Sequence, residues 1–573
     1  MALLLSCASC GRSTPQGKSG PDASPPQTEP ISKAPAKKAV VARQVVDLFI
    51  LGRALGTIAP CGCTTDPLGG VQYALGFIHK QGFPENYLVI EPGSLLFPEP
   101  GSAEAPTDEA GWAQAKLRAD VLGARLQALG DRLVSGVGPT DLASPAGVAA
   151  LETYALPRVL ANAPSAHEKG LVARHRKVQV GGVTAGVTAV VDPALPGLEA
   201  LGPFADPAAA LERELSSIKD DGADLSIAVV HGGRALAESI VDRVPGFDIV
   251  VVGVPHGMQR SREGMPVARR KGTWIVEPGE KLQTLTHLRL AMHPDAIGEL
   301  PPASEWEQIP SRASQERELA RLDSRLSALK ADPEADPTFV ARLEHDRETM
   351  AAALARPNPP EKDVAATFEQ VKVTCRLPAD DDAKQALARH DEAVSAQNQA
   401  RFAGVKPPPP AKGEAGYVGD EECGNCHDAA KSFWDSTRHA QAYDTLVAAN
   451  KEFDLSCVGC HVTGFNKPGG SHVVENAGLR DIQCEQCHGP GSLHVEEPEK
   501  AGKPHAITRE VPEQVCGQCH TPDHSDTFDY NAYLRDVLGE GHGAGARAAI
   551  GEGPTGRQLR ADGFKKAGGA CPK

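Results

Sequence analysis

The chain of 573 residues lacks an excess of positive charge, and no stretch after its first residues is apolar for long enough to cross a membrane. Its 59 lysines and arginines stand against 74 aspartates and glutamates, a formal net charge of −15. Since no basic stripe offsets this charge, the composition argues against nucleic acid as a partner. An acidic surface instead suits partner proteins that have a basic docking face.

The start of the chain reads Leu4-Leu5-Ser6-Cys7, which resembles a bacterial lipobox, whose cysteine is acylated. The charged and most of the apolar residues that should precede it are missing, so either translation starts further upstream or the match is accidental. Residues 11–40 are rich in Pro, Ser, Lys and Gly and suit a flexible tether. We therefore predict a lipoprotein-like start and tether over residues 1–44, with membrane attachment through lipid and not through a transmembrane helix.

A chain of 573 residues is too long for one domain, and its length predicts two or three. Residues 45–298 read as a layered α/β domain, because short apolar runs typical of buried strands alternate with helical stretches. The runs are 45–51, 87–90, 225–230 and 247–252, and the helical stretches include 112–129 and 207–218.

Residues 299–415 change character. Residues 314–330 and 337–355 carry apolar side chains at helical spacing among many charges, which predicts an antiparallel helical hairpin. A further helix at about 382–403 precedes Pro407–Pro410, which reads as a stiff spacer.

The last predicted domain, residues 416–573, contains four CxxCH motifs. In such a motif two thiols add across the vinyl groups of a haem, and the following histidine ligates its iron. With 14 Cys and 19 His in the chain, chance would give about 0.01 such motifs. The motif residues are Cys423, Cys426 and His427; Cys457, Cys460 and His461; Cys484, Cys487 and His488; and Cys516, Cys519 and His520.

These motifs predict four covalently bound haem c groups. The alternative is two zinc ribbons built from four CxxC pairs, but a ribbon needs no histidine directly after every second cysteine. We expect a mainly helical and irregular module in which the haems supply much of the core, so that it does not fold without them. Because bacteria attach haem c outside the cytoplasm, we also expect a periplasmic or cell-envelope location.

The runs around the motifs resemble the tetrahaem cytochrome c-554 family. They are Trp434-x-x-Thr437-x-His439-Ala-x-Ala442, then Cys457 to Phe465, then Cys484-Glu-x-Cys-His-Gly-Pro-Gly491. The resemblance covers about residues 416–545 and implies electron transfer. It also implies three haems with two histidine ligands each, and one five-coordinate haem at the second motif, that of His461.

The same resemblance implies that His439, His494 and His542 are the distal iron ligands. An open sixth position would let a small molecule bind. The other histidines of the module are surface residues or further ligands, and His524 is too near His520 to reach the far face of the same haem. They are His472, His505 and His524.

Residues 45–298 resemble the calcineurin-like metallophosphoesterase and 5′-nucleotidase family. The strand that ends at His231 and the run that ends at His256 match two ligand-bearing strand ends of that family. Such sites hold two metals and use a metal-bound hydroxide. Other expected ligand positions hold unsuitable residues, so we predict a fold without its chemistry. The departures are Gly52-Arg53-Ala54, Pro92-Gly93-Ser94, Gly138-Pro139-Thr140-Asp141 and Gly253-Val254-Pro255.

Four cysteines outside the motifs and the start are left over. Cys61 and Cys63 flank one glycine, too tight for an unstrained disulfide with each other. They read as free thiols, soft-metal ligands or partners for Cys375 and Cys571, and the sequence does not decide the pairing.

Three functions remain open at this level. The sequence favours an exported tetrahaem electron carrier that meets redox partner proteins and has an inactive phosphoesterase-like domain. One alternative is a haem enzyme that acts on a small nitrogen or oxygen species at a five-coordinate haem. The other is an active metallophosphoesterase fused to a cytochrome.

Overall fold

The computed structural model describes residues 42–571, apart from residues 61, 81–85, 103, 255–263, 357–358 and 498–506. The lipobox-like start, the tether, Cys61, His256 and His505 therefore lie outside the described residues. The strands are β1 Gln44–Leu51, β2 Tyr87–Glu91, β3 Leu133–Ser135, β4 His175–Val180, β5 Val183–Val191, β6 Leu225–His231, β7 Ile249–Gly253, β8 Met265–Arg270, β9 Thr273–Glu277, β10 Thr284–Met292, β11 Glu307–Gln308 and β12 Val364–Lys372.

The helices of the first part reach 22 residues, whereas none of those described in the last part exceeds 11. The earlier helices are α1 Val71–Lys80, α2 Glu109–Gln127, α3 Pro145–Thr153, α4 Pro164–Glu168, α5 Pro207–Asp220, α6 Gly233–Arg243, α7 Arg312–Ala331, α8 Pro337–Ala355 and α9 Asp381–Phe402. The later helices are α10 Asp420–Gly424, α11 Asp428–Asp435, α12 Ala442–Val447, α13 Cys484–His488, α14 Ser492–Glu496, α15 Glu513–Cys516, α16 Tyr530–Val537, α17 Ala544–Ala549 and α18 Gly556–Lys566.

Two mixed sheets form the first part of the chain. The first has the order β11-β12-β10-β1-β2-β3, and the second has the order β4-β5-β6-β7-β9-β8. In the first sheet β1 runs parallel to β2 and antiparallel to β10. In the second, β5, β6, β7 and β9 run parallel. Every residue of β5, β6 and β7 is buried, as expected for parallel strands that are covered on both faces.

The two sheets face each other, and helices cover their outer faces. Leu48 and Leu288 of the first sheet share one apolar cluster with Val187 and Ile227 of the second. Residues of α1 and α2 pack with the outer face of the first sheet, and residues of α5 and α6 pack with that of the second. Each such buried aliphatic side chain contributes about 1.5–3 kcal/mol of hydrophobic stabilisation. This order of layers, helix–sheet–sheet–helix, confirms the predicted α/β layering.

The first sheet does not end at the predicted boundary, residue 298. Strands β11 and β12 come from the segment predicted as hairpin and linker, and β12 pairs antiparallel with β10 from Met292↔Val364 to Thr284↔Lys372. The sequence of β12, VAATFEQVK, alternates too weakly to stand out as a strand, and only the pairing with β10 makes it one.

The predicted helical hairpin is present as α7 and α8. The ion pairs Lys330–Glu344 (2.6 Å) and Arg347–Asp323 (2.9 Å) join the helices in opposite order, so the helices run antiparallel. Leu326 is the buried residue of α7, and α8 likewise buries one residue, Leu343. Helix α9, the predicted linker helix, packs against α1 and α2.

The last part of the chain is built of short helices and loops, as predicted. Its helices range from four residues in α15 to 11 residues in α18. Among its described residues, the buried apolar cluster is small: Tyr443, Val458, Val462 and Val473. The polypeptide alone therefore gives this module little core.

Several contacts join this module to the α/β layers within one compact unit, Ala42–Lys573. A disulfide links Cys375 to Cys571, which settles the pairing of these two thiols, and Cys63 is exposed. The Asp526 carboxylate accepts hydrogen bonds from the backbone N–H and the hydroxyl of Thr65, at 3.0 and 2.7 Å. In the part of the chain that the structure describes, no helix is both long and apolar enough to span a membrane.

Candidate functional site

The histidines of the CxxCH motifs lie where short helices or turns end, and hydrogen bonds hold three of their rings. The Nδ1–H of His461 donates to the Ala442 carbonyl (2.5 Å), and that of His488 donates to the Thr508 carbonyl (2.7 Å). The Nδ1 of His520 bonds the Ser525 hydroxyl at 3.1 Å. A hydrogen bond at Nδ1 leaves Nε2 of the same ring as the nitrogen that can bind a metal.

Two of the predicted distal histidines lie opposite a motif histidine. The ring centroids of His427 and His494 are 6.4 Å apart, with 17° between the ring planes. Those of His520 and His439 are 6.3 Å apart, with 39° between the planes. Burial lowers the pKa of His439, so this ring is neutral and able to ligate a metal at physiological pH.

The third predicted distal histidine, His542, lies near His488. Burial lowers the pKa of His542, and the positive charge that His488 can carry lowers it further. Among the described residues, no ring contact joins His488 to His542, and none joins His461 to a second histidine. The other two described histidines of the module lie elsewhere: His472 packs against Phe402 and Phe465, and His524 bonds the Thr521 hydroxyl.

The distances between the paired rings fit an iron ion between them. Two imidazoles on opposite sides of one metal, each with a metal–nitrogen bond of about 2.0–2.1 Å, have ring centroids roughly 6.4 Å apart. The pairs His427–His494 and His439–His520 match this value. None of the motif cysteines and histidines is fully buried by polypeptide, which leaves their surfaces to be covered by a bound group. The residues present therefore fit haem.

The cysteines of different motifs also approach one another. Cys484 lies close enough to Cys423 to raise the pKa of its thiol, and Cys460 lies close enough to Cys519 to do the same. The first attachment site thus adjoins the third, and the second adjoins the fourth. Haems attached at these cysteines would lie near one another, as electron transfer between them requires.

Glu485, inside the third motif, was not predicted as a site residue. Its side chain is 2% exposed. The carboxylate accepts hydrogen bonds from the backbone N–H groups of Val418 (3.0 Å), Gly419 (2.8 Å) and Gly491 (2.7 Å). Gly419 precedes the first motif and Gly491 precedes His494, so one buried carboxylate holds the segments of both rings of the first pair.

The strand ends of the α/β layers are filled by internal contacts. Arg53 is 3% exposed and pairs with Glu99 (3.1 Å) and Glu280 (3.2 Å). The Nε2 of His231 donates to the Pro92 carbonyl, and burial lowers the pKa of His231 to about 4, so the ring is neutral. No group of three or more Asp, Glu, His or Cys side chains suited to a metal occurs among the described residues.

The carboxylates of this region serve the backbone. Asp141 accepts hydrogen bonds from the N–H groups of Ser94 (2.6 Å), Leu95 (2.9 Å) and Gly138 (3.0 Å). Burial, together with the charge of Asp141, raises the pKa of Glu91 to about 8. The chain is also tightly packed at this point, since a Cβ at Gly138 would clash with the Ser94 hydroxyl.

Comparison with known proteins finds likeness for the two parts of the chain separately. Among solved structures, a 5′-nucleotidase precursor from Thermus thermophilus is similar over 61% of this chain and 59% of its own length, at 17% identity and a TM-score of 0.40. A putative 5′-nucleotidase from Staphylococcus aureus is similar over 71% of this chain and 67% of its own, at 13% identity and a TM-score of 0.38.

The likeness of the C-terminal part lies in the sequence. Cytochrome c-554 of Nitrosomonas europaea is 33% identical over 107 residues, which is 16% of this chain and 45% of the relative, so the match spans less than half of that protein. Residues 422–489 match the model of the family described as cytochrome c554 and c-prime. The predicted resemblance is thereby confirmed: residues of the C-terminal module are similar to the cytochrome c554 family.

Proposed function

We propose that this protein is an exported tetrahaem electron carrier whose α/β layers hold the cytochrome module and have no phosphoesterase activity. The observation that carries the proposal is the opposition of the CxxCH histidines to distal histidines at the spacing of a shared iron. Bound haem supplies a one-electron couple at each iron, and two axial imidazoles suit an iron that changes oxidation state with little change in geometry.

In this proposal the chain's own residues ligate and position. His427 with His494, His520 with His439, and His488 with His542 form three ligand pairs. The adjoining cysteines of the first and third, and of the second and fourth, motifs bring the attachment sites together in pairs. The net charge of −15 supports docking of a redox partner that has a basic face. Attachment of haem c outside the cytoplasm supports a periplasmic or cell-envelope location, and a lipid anchor at Cys7 stays a prediction.

A haem count tests the main part of this proposal. A pyridine haemochrome assay with protein quantitation should give about four haems per chain, one for each CxxCH motif. Replacement of His439 by Ala should convert one low-spin haem to high spin, whereas replacement of the exposed His524 should not. Two or fewer haems, or stoichiometric zinc, would overturn the proposal.

A second candidate function rests on His461, which has no opposing imidazole among the described residues. An iron with an open sixth position can bind a small molecule, so a haem enzyme that acts on a small nitrogen or oxygen species is the alternative. Turnover of hydroxylamine, nitric oxide or peroxide by the purified holoprotein, lost when cyanide occupies the high-spin haem, would favour it over the carrier.

The inactive α/β domain has its own test. Arg53 with its two carboxylate partners, and Asp141 with its three amides, occupy the strand ends that would have to supply metal ligands. Hydrolysis of nucleotides or a model phosphodiester with added manganese, zinc or calcium should stay at background. Turnover that disappears in His231→Ala would show an active nucleotidase instead.

A further inference from the structure

A turn at Lys451–Ser456 leads directly into the second CxxCH motif. The Asp454 carbonyl accepts hydrogen bonds from the N–H groups of Cys457 and Val458, both at 2.9 Å. The Asp454 carboxylate accepts another from the N–H of Ser456 at 2.8 Å. The position of Asp454 therefore sets where the motif begins.

Gln114, on helix α2 of the α/β layers, binds this turn through both the nitrogen and the oxygen of its side-chain amide. Its Nε2 donates to the Asp454 carboxylate at 2.7 Å, and its Oε1 accepts from the N–H of Leu455 at 3.1 Å. The residue is 2% exposed, so water does not compete for these bonds. Donor and acceptor bonds to consecutive residues fix both the place and the orientation of the turn.

Helix α9 also binds this turn. The Nδ2 of Asn398, which is fully buried, donates to Gln114 Oε1 and to the Phe453 carbonyl, both at 2.9 Å. The Lys451 ammonium pairs with Asp391 of the same helix at 3.0 Å. The turn is thus held from two helices that both pack outside the cytochrome module.

The positively charged side chain of Arg118, on α2, also lies beside this turn. Arg118 lies one helical turn beyond Gln114, and its Nη1 donates to the Ser456 hydroxyl at 3.2 Å. Its guanidinium also interacts with the negative charge of Asp454. The second motif therefore lies in an electrostatic environment to which the α/β layers contribute.

We propose that Gln114 is a positioning residue for the haem attached at Cys457 and Cys460, so that the α/β domain acts within the same chain on the haem of His461. The inference rests on the proposed function, because it takes that haem to be the one with an open position. This role of the α/β domain needs no phosphoesterase chemistry. The domain fixes the position of the second haem site and places the positive charge of Arg118 beside it.

The test compares Gln114→Ala and the shorter amide Gln114→Asn with Gln127→Ala, a glutamine exposed on the same helix. The probe is cyanide, titrated into the full-length oxidised holoprotein, with spin states followed by electron paramagnetic resonance. Loss of a group that orients a metal's surroundings changes ligand affinity, so the Gln114 variants should shift the cyanide dissociation constant of the high-spin haem by about threefold to tenfold. The low-spin signals and Gln127→Ala should match the wild type.

The outcomes separate the two proposals. A wild type without any high-spin haem would contradict the open site before a variant is made. A wild type that has the high-spin haem, combined with unchanged cyanide affinity in the Gln114 variants, would overturn the role of Gln114 alone. Lower thermal stability with unchanged affinity would count as the same negative result. If Gln114→Ala does not fold with four haems, Gln114→Asn decides.

Discussion

The α/β layers and the cytochrome module solve the same problem, a stable interior, by different means. The α/β layers bury aliphatic residues of two sheets against each other and against helices on both outer faces. The module has one small apolar cluster among its described residues, and its motif side chains stay partly exposed. The difference shows that apolar side chains form the core of the first part, whereas the second part needs bound haem to complete its core.

Removal of haem should produce the largest difference between the two parts. In protein made without haem attachment, we expect the region after residue 416 to be cut rapidly by protease, because it has too little apolar core of its own. The α/β layers should keep their circular dichroism and a cooperative thermal transition. Holoprotein digested in parallel is the control. An apo module as resistant to protease as the holo module would contradict the claim that haem supplies its core.

Loss of Glu485 should give the next largest effect, within the loaded module. Glu485→Ala leaves several buried N–H groups without an acceptor, which costs about 3–5 kcal/mol. Denaturant unfolding followed at the haem absorption band measures this loss. Glu496→Ala, at an exposed glutamate on α14, is the matched control. Equal denaturant midpoints for both variants would contradict a stabilising role of Glu485.

The disulfide between Cys375 and Cys571 should matter next, because it ties the end of the chain to the α/β layers across 196 residues of sequence. Its loss in Cys375→Ser with Cys571→Ser should lower stability by about 2–4 kcal/mol. A reducing agent should lower the stability of the wild type by the same amount and leave the double variant unchanged. Insensitivity of the wild type to reductant would contradict the expected contribution.

Glu91 should give the smallest effect, confined to the α/β layers. Its pKa in the folded protein, about 8, lies above the ordinary value of 4.5, so the folded state keeps a proton that the unfolded chain loses. The stability from this proton is complete below about pH 4.5 and is lost as pH rises toward about 8. Glu91→Gln should reduce the decline over this range by about 1–3 kcal/mol. Thermal melts of both proteins across the range measure it, and parallel curves would argue against a protonated Glu91.

The features that could be predicted from sequence are the ones that local chemistry imposes. A CxxCH motif is complete within five residues, and the buried strands β6 and β7 are continuous apolar runs. The paired imidazoles needed the resemblance to a family, because His439 lies far from His520 along the chain.

The features that were missed depend on contacts between distant segments. Strand β12 is a strand because β10 lies beside it, and its own residues alternate weakly. Glu485 and Gln114 look like ordinary polar residues until the backbone amides that they bind are in place. The pairing of Cys375 with Cys571 likewise needed the return of the chain end to the α/β layers.

The most direct test of the account is the spin state of the oxidised holoprotein, quantified by electron paramagnetic resonance together with its haem content. The ligand pairs predict mostly low-spin iron, from the haems of His427, His488 and His520, and a high-spin minority that belongs to His461 and binds cyanide. Four low-spin irons, none of which binds cyanide or nitric oxide, would contradict the account and would require another histidine, such as His472, to ligate the second haem.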